Sequence, residues 1–211
     1  LLATEAIHIN LSTNEIANDG YGNTDQITNL ENILAGSVYQ HTLTGDDNNN
    51  VIDAPVGGGD NIYAGGGDDQ VNIGGAGGIL DGGAGNDTLA FYRGRYINAD
   101  LDSNLQLDIE WATMGIVADL ATGTISNDGL GGSGTLIGFE NLNGHILNDR
   151  LSGDAQNNII QGFAGGDILR GEGGADELYG GLGDDALLGG NDSDTLYGDE
   201  GDDVLRGNTG D

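Results

Sequence analysis

The last third of the chain carries one aliphatic residue at every ninth position. These residues are Leu142, Leu151, Ile160, Leu169, Leu178, Leu187, Leu196 and Leu205. Alternate side chains of a strand point to opposite faces, so one apolar residue between two polar neighbours fits a short strand with one buried side chain. The pattern therefore predicts a short strand in every nonapeptide.

Two further positions keep the same phase. An acidic or amide residue stands two places before each of the last seven aliphatic residues, at Asp149, Asn158, Asp167, Asp176, Asp185, Asp194 and Asp203. A glycine stands seven places before each of them, at Gly144, Gly153, Gly162, Gly171, Gly180, Gly189 and Gly198. Glycine accepts positive φ and lets backbones approach closely, so we expect the residues between strands to form turns.

Two nonapeptides are enough for one coil with a turn on each side, and successive coils would lie about 4.8 Å apart. Residues eighteen apart in sequence would then lie one above another. One predicted column contains Asp149, Asp167, Asp185 and Asp203, and a second column on the opposite side contains Asn158, Asp176 and Asp194.

A less regular array precedes this one. Its aliphatic residues are Leu43, Ile52, Ile62, Val71, Leu80 and Leu89, spaced by nine except for one step of ten. The residues two places before them are His41, Asn50, Asp60, Asp69, Gly78 and Asp87, so only some of these positions carry a carboxylate. The first array is therefore expected to bind fewer cations, and less tightly, than the second.

The segments outside the arrays also predict strands. Residues 115–142 repeat residues 6–33 at an offset of 109, and apolar and polar residues alternate between 101 and 111. No segment has helical periodicity. We predict an all-β parallel β-roll or β-helix solenoid with a strand-rich lead-in at 1–34, a first roll at 35–90, a strand-rich linker and second lead-in at 91–142, and a truncated second roll at 143–211.

Composition narrows the possible partners. The 211 residues include 42 glycines, one proline and no cysteine, and 35 acidic residues against 5 basic ones give a formal charge of −30. Nucleic acids and anionic membranes need basic partners, so the expected partner is a cation. No apolar run is long enough to span a membrane. Leu1 is not methionine, and we expect the chain to be part of a longer protein.

Stacked carboxylates repel each other unless a cation lies between them. Ca²⁺ suits such a site because it accepts six to eight oxygen ligands in flexible geometry, whereas Mg²⁺ requires a stricter octahedron. Zinc would need histidine or cysteine ligands. Because one buried side chain per repeat offers little against the entropy of ordering nine residues, we expect folding to require the metal.

The segment Gly82-Gly83-Ala84-Gly85-Asn86-Asp87-Thr88-Leu89-Ala90 resembles the RTX nonapeptide of secreted bacterial proteins, a parallel β-roll that binds calcium. The similar arrays cover 36–90 and 144–211. The resemblance implies several Ca²⁺ ions. Each would be held by the in-phase aspartates of repeats n and n+2, which stand at position six of the nonapeptide, and by backbone carbonyls of the glycine-rich turns.

Carried over to this sequence, the implied pairs are Asp149/Asp167, Asp167/Asp185, Asp185/Asp203, Asp176/Asp194 and Asp69/Asp87. Weaker pairs are Asn158/Asp176 and Asn50/Asp69, and Asp60 faces Gly78. The implied carbonyl ligands include Gly65, Gly67, Gly82, Gly83, Gly85, Gly162, Gly165, Gly171, Gly174, Gly180, Gly181, Gly183, Gly189, Gly198 and Gly201.

The resemblance also implies a location and a role. It implies synthesis in a Gram-negative bacterium, type I secretion, and folding outside the cell on Ca²⁺ binding in support of a neighbouring domain. We expect a non-enzymatic monomer. Two alternatives stay open, namely an adhesive or glycan-binding module that uses Trp111 and the tyrosines near Arg93 and Arg95, and an enzyme fragment with its site in residues 91–142.

Overall fold

The computed structural model of the protein describes residues 5–27, 30–35, 39–55, 59–75, 77–92, 94–98 and 108–210. These residues form short strands and turns and contain no helix. Accordingly, none of them lies in a helix of the length and apolarity needed to span a membrane. The predicted all-β class is confirmed.

Twenty-three strands follow one another along the described chain. The lead-in and the first array contain β1 (Ile7–Asn10), β2 (Glu15–Asp19), β3 (Asp25–Gln26), β4 (Asn32–Leu34), β5 (Thr42–Thr44), β6 (Val51–Ala54), β7 (Asn61–Gly66), β8 (Gln70–Ile73), β9 (Ile79–Ala84) and β10 (Thr88–Phe91). The linker contains β11 (Gly94–Asn98) and β12 (Asp108–Trp111).

The second half repeats this order. The second lead-in contains β13 (Ile116–Asp119), β14 (Thr124–Asp128), β15 (Gly134–Ile137) and β16 (Asn141–Asn143). The second array contains β17 (Arg150–Ser152), β18 (Ile159–Ala164), β19 (Ile168–Glu172), β20 (Glu177–Leu182), β21 (Ala186–Asn191), β22 (Thr195–Glu200) and β23 (Val204–Thr209).

Two sheets form the walls of one solenoid of about eight coils. The long sheet has 13 strands in the order β23-β21-β19-β17-β13-β14-β15-β9-β7-β5-β1-β2-β3. The short sheet has 8 strands in the order β22-β20-β18-β16-β10-β8-β6-β4. Within each array, successive strands of a sheet pair in parallel. The spacing in the second array is eighteen residues, as between Leu151 and Leu169. In the first array it is nineteen across the ten-residue step, as between Ile52 and Val71, and eighteen after it, as between Ile62 and Leu80. The predicted parallel β-roll is therefore confirmed.

The in-phase aliphatic side chains fill the space between the two sheets. All twelve from the first array and from Leu142 to Leu187 are at most 2% exposed. Burial decreases at the last coil, where Leu196 is partly buried and Leu205 is 44% exposed. In the second array the core is thus a stack of aliphatic residues, one from each nonapeptide, while the strands of the first array also bury Ala54, Ala64, Ile73 and Phe91.

The two arrays lie in one uninterrupted stack. In the short sheet, β10 of the first array pairs directly with β16, with Leu89 opposite Leu142. In the long sheet, β9 pairs with β15, with Leu80 opposite Leu136. The predicted rolls therefore share both sheets, and the domain boundaries at 34, 90 and 142 stay predictions.

Each lead-in contributes antiparallel strands to the long sheet, next to its parallel strands. β1 pairs with β2 and β13 with β14, and both pairs have a register shift after their second residue, between His8 and Ile9 and between Val117 and Ala118. β1 then pairs in parallel with β5, as β13 does with β17. The repeat at an offset of 109 is therefore a repeat of structure as well as of sequence.

The linker between the arrays is described only in part. β11 and β12 form an antiparallel pair, with Gly94 opposite Trp111. Of the predicted strand at 101–111, residues 108–111 are strand, while residues 101–107 lie outside the described residues, as does Arg93. The glycan-binding prediction for this segment stays untested.

Candidate metal centre

The position-six carboxylates link each turn to the turn one coil earlier. Numbering each repeat from its first glycine, position six is the in-phase aspartate or asparagine. Where position six is aspartate and an array coil precedes it, its Oδ1 accepts a hydrogen bond from the backbone N–H of position six in that preceding coil. The pairs, with the donor first, are Asp149 and Asp167 (2.7 Å), Asp167 and Asp185 (2.7 Å), Asp185 and Asp203 (2.9 Å), Asn158 and Asp176 (2.8 Å), Asp176 and Asp194 (3.1 Å), Asn50 and Asp69 (2.7 Å), and Asp69 and Asp87 (2.8 Å). The two predicted columns are therefore brought together.

The second carboxylate oxygen is buried without a hydrogen-bond donor. This holds for Oδ2 of Asp69, Asp87, Asp167, Asp176 and Asp185. A buried oxygen without a donor costs free energy, and a buried charge costs more unless an opposite charge compensates it. These oxygens are therefore the strongest indication of a cation between coils.

The first glycine of the repeat makes room for this carboxylate. A methyl group on Gly162, Gly171 or Gly180 would overlap Oδ2 of the aspartate five residues later. The carbonyl oxygen of the first glycine in the next coil also lies at this point, as Gly198 O does beside Gly180. The absent side chain thus leaves a cradle lined by carboxylate and carbonyl oxygens.

The backbone of these turns is left-handed at positions two and four. We call them the open turns, and those described in full are 64–69, 82–87, 162–167, 171–176, 180–185, 189–194 and 198–203. Most of the left-handed positions are glycine, but Phe163, Glu172, Asp192 and Asp199 also have φ between 66 and 75°. A non-glycine residue costs free energy in this conformation, so the turn geometry overrides local preference.

The electrostatics of the columns favour a bound cation. Burial raises the pKa of Asp167 to about 7 and that of Asp69 and Asp176 to about 6, against backbone hydrogen bonds that lower them. Neighbouring carboxylates raise these pKa values further, and burial also raises the pKa of Asp87 and Asp185. A cation in the column would favour the charged carboxylates and so offset this shift.

The metal-free chain should therefore be more stable in acid. Since the folded pKa values exceed the unfolded value of about 3.9, their stabilising contribution is complete below about pH 4 and is lost as pH rises to about 7. In chelator, we expect the β-sheet signal in circular dichroism to grow as pH falls from 8 to 5. The growth should be smaller in Asp167→Asn, and a signal that instead weakens toward pH 5 would contradict this assignment.

The donor set suits calcium better than other common cations. Carboxylate and carbonyl oxygens are hard ligands, and two neighbouring turns can supply the high coordination number that Ca²⁺ takes. Among the described residues, no group of three or more histidine, cysteine, aspartate or glutamate side chains is close enough to form a metal site by side chains alone. Backbone carbonyls are therefore needed to complete any site.

Some predicted site residues lie in different surroundings. Asp60 accepts a hydrogen bond from His41 N–H (2.7 Å) and faces Gly78, which offers no side chain. The side-chain oxygens of Asn50, Asp149 and Asn158 all accept hydrogen bonds from backbone N–H groups. Whether each predicted residue binds metal stays a prediction.

Glu140 is a column member that was missing from the predicted site. Its Oε2 accepts a hydrogen bond from Asp87 N–H (2.8 Å), as the next aspartate does elsewhere. Burial raises its pKa, as it does for the aspartates. The signal was present in the sequence, because Glu140 stands two places before Leu142 and keeps the phase of the array.

Comparison with protein families agrees with this geometry. Residues 79–95, 143–178 and 179–211 match the model of the RTX calcium-binding nonapeptide repeat. A comparison with curated proteins found no match. The chain thus carries RTX calcium-binding repeats, and the region they form is a calcium-binding β-roll.

Proposed function

We propose that this calcium-binding β-roll belongs to a secreted bacterial protein, folds outside the cell when calcium binds, and supports a neighbouring functional domain. The observation that supports it most is the set of buried carboxylate oxygens without donors in the open turns. A fold that buries such oxygens is stable only when something compensates their charge.

Each ion would be held by oxygen atoms from two turns of one column. The position-six aspartates of repeats n and n+2 would supply the charge, as in Asp167 with Asp185, and carbonyls of the glycine-rich turns would supply the remaining ligands. The bound ion supplies positive charge between stacked carboxylates. The protein's own part is to space the aspartates by eighteen residues and to keep the cradle free of side chains.

The ligands of each ion come from separate coils, which couples binding to folding. Asp167 and Asp185 become neighbours only when β19 and β21 pair. In the unfolded chain they are eighteen residues apart and form no site, so the binding free energy contributes directly to folding.

Composition supports the proposed location. The formal charge of −30 favours an expanded chain until cations bind, because like charges repel. The chain also has no cysteine that could form a disulfide. A chain that stays unfolded where calcium is scarce and folds where it is millimolar suits export in an unfolded state. We therefore propose type I secretion from a Gram-negative bacterium, with the β-roll acting as a folding element and not as a catalyst.

Calorimetric titration with Ca²⁺ tests the binding function. We expect several ions per chain, with Kd near 10⁻⁴–10⁻³ M, the order found in extracellular calcium modules, and much weaker heats with Mg²⁺. The double variant Asp167→Asn/Asp185→Asn should bind fewer ions, because it removes the charge from two neighbouring turns. Calcium heats no larger than those of Mg²⁺ would refute the proposal.

A further inference from the structure

Two turns at the start of the arrays differ from the open turns. In 45–50 and 153–158, the position-two N–H turns inward and donates to the side-chain oxygen at position six. The distances are 2.9 Å from Asp46 to Asn50 and 2.8 Å from Asp154 to Asn158. None of their residues has positive φ. We call these two the closed turns.

The amide nitrogen at position six links two oxygens in each closed turn. Asn158 Nδ2 donates to the carbonyl oxygen of Glu140 in the preceding coil (2.8 Å) and lies 3.3 Å from the carboxylate of Asp154. This nitrogen therefore faces a carbonyl from one coil and a carboxylate from its own turn.

The same arrangement occurs in the first array. Asn50 Nδ2 donates to the carbonyl oxygen of Glu31 (3.1 Å) and lies 3.3 Å from the carboxylate of Asp46. The two closed turns lie at the same point of the two structural repeats, between the first two strands after each lead-in, β5 and β6 or β17 and β18. The recurrence of one hydrogen-bond set in both arrays argues against a chance placement.

A carbonyl and a carboxylate that converge on one point are the ligands the open turns offer to a cation. In the closed turns an uncharged NH₂ group stands at that point and satisfies both. Asparagine therefore does more here than lower the charge of the turn. An aspartate would have no N–H group to donate to the Glu140 carbonyl or to the Asp154 carboxylate.

We propose that the Asn50 and Asn158 amides are built-in substitutes for a cation. The turn that leads into the first short-sheet strand of each array, β6 or β18, would then close without calcium. This inference rests on the proposed calcium function of the open turns. It assigns no ion to a site formed by the side chains of the closed turns, and it leaves the ions to the open turns that follow.

The neighbouring turn at 144–149 is closed by other means. Asp149 Oδ2 accepts a hydrogen bond from His145 N–H (2.7 Å), while its Oδ1 accepts one from Ile116 N–H (2.7 Å) and lies 3.0 Å from His145 Nδ1. Both carboxylate oxygens thus have protein donors. The second array accordingly starts on two successive turns that need no metal, and the metal-dependent coils add to a preformed support.

The substitution Asn158→Asp tests the inference. It removes the NH₂ donor and adds a buried carboxylate, so the turn should come to require a cation. We expect the variant to bind one more Ca²⁺ than the wild type at saturation, measured by calorimetry and by metal analysis after dialysis. Its half-folding calcium concentration should rise severalfold, and Asn50→Asp should repeat both changes in the other array.

Asp176→Asn is the matched control, because it makes the reverse change in the open turn one coil later. It should bind at least one ion fewer than the wild type. An unchanged ion count in Asn158→Asp, or failure of that variant to fold at saturating calcium, would overturn the inference. A wild type that binds no calcium would instead overturn the proposed function, so the two failures are distinguishable.

Discussion

Removal of calcium is expected to unfold most of the solenoid. Each nonapeptide orders nine residues while burying one aliphatic side chain, and the open turns add buried carboxylate oxygens without donors, such as those of Asp167 and Asp185. Without a cation both terms act against folding. In excess chelator at pH 8, we expect circular dichroism to lose most of the β-sheet signal.

Addition of millimolar Ca²⁺ to the same sample should restore the signal, and an equal concentration of Mg²⁺ should restore little of it. The Mg²⁺ sample controls for ionic strength, because screening of the net charge alone would act similarly for both cations. Equal β-sheet content in chelator and in calcium would show that the metal-free fold is stable and that the link between binding and folding is wrong.

The substitution Gly171→Ala is expected to destabilise the second array strongly. The new Cβ would overlap Oδ2 of Asp176 and the carbonyl oxygen of Gly189, two atoms of the cradle. Displacement of either atom disturbs both packing and cation binding. We expect a loss of about 3 kcal/mol or more in the free energy of unfolding in calcium, at the upper end of the cost of overpacking.

Gly173→Ala is a matched control in the same turn. Its added Cβ would lie 3.7 Å from the nearest atom, which is an ordinary contact, and Gly173 does not have positive φ. Urea unfolding in saturating calcium should therefore separate the two variants clearly, with Gly173→Ala within about 1 kcal/mol of the wild type. Similar losses in both would mean that the cradle at position one is not special.

Spacing alone was sufficient to predict the coils. An aliphatic residue at every ninth position can be buried by each coil only if two repeats make one turn of a solenoid, and this fixes which residues stack. Asp167 above Asp185, and Asn158 above Asp176, follow from that arithmetic. Because the register of a parallel stack is set by its core, the side-chain columns could be predicted without knowing any turn in detail.

The closed turns could not be predicted in this way. Asn158 keeps the phase of the aspartates, so the spacing gives it the same place in the column. What differs is the direction of the Asp154 N–H, which donates to Asn158 Oδ1, and the partner of the Asn158 amide, which is the carbonyl oxygen of Glu140 in the preceding coil. A pattern of residue types does not record which way a peptide group turns.

The continuity of the two arrays was also hidden in the sequence. Leu89 and Leu142 are neighbours in the short sheet, although the linker and the second lead-in separate them along the chain. The nine-residue phase stops at Leu89 and restarts at Leu142, which is equally consistent with two separate rolls. Only the strand pairing shows that the second lead-in continues the stack of the first array.

The lead-in has a consequence for how such a protein can change its length. In the second lead-in, β15 and β16 pair with the last strands of the first array, β9 and β10, while β13 pairs with the first strand of the second array, β17. One lead-in therefore ends the first array and starts the second. Duplication of the whole unit would lengthen the solenoid without changing its cross-section. A change of residue number within a coil must instead be absorbed by a turn, as the ten-residue step between Ile52 and Ile62 is. We therefore expect related chains to differ mainly by whole nonapeptide pairs or whole units.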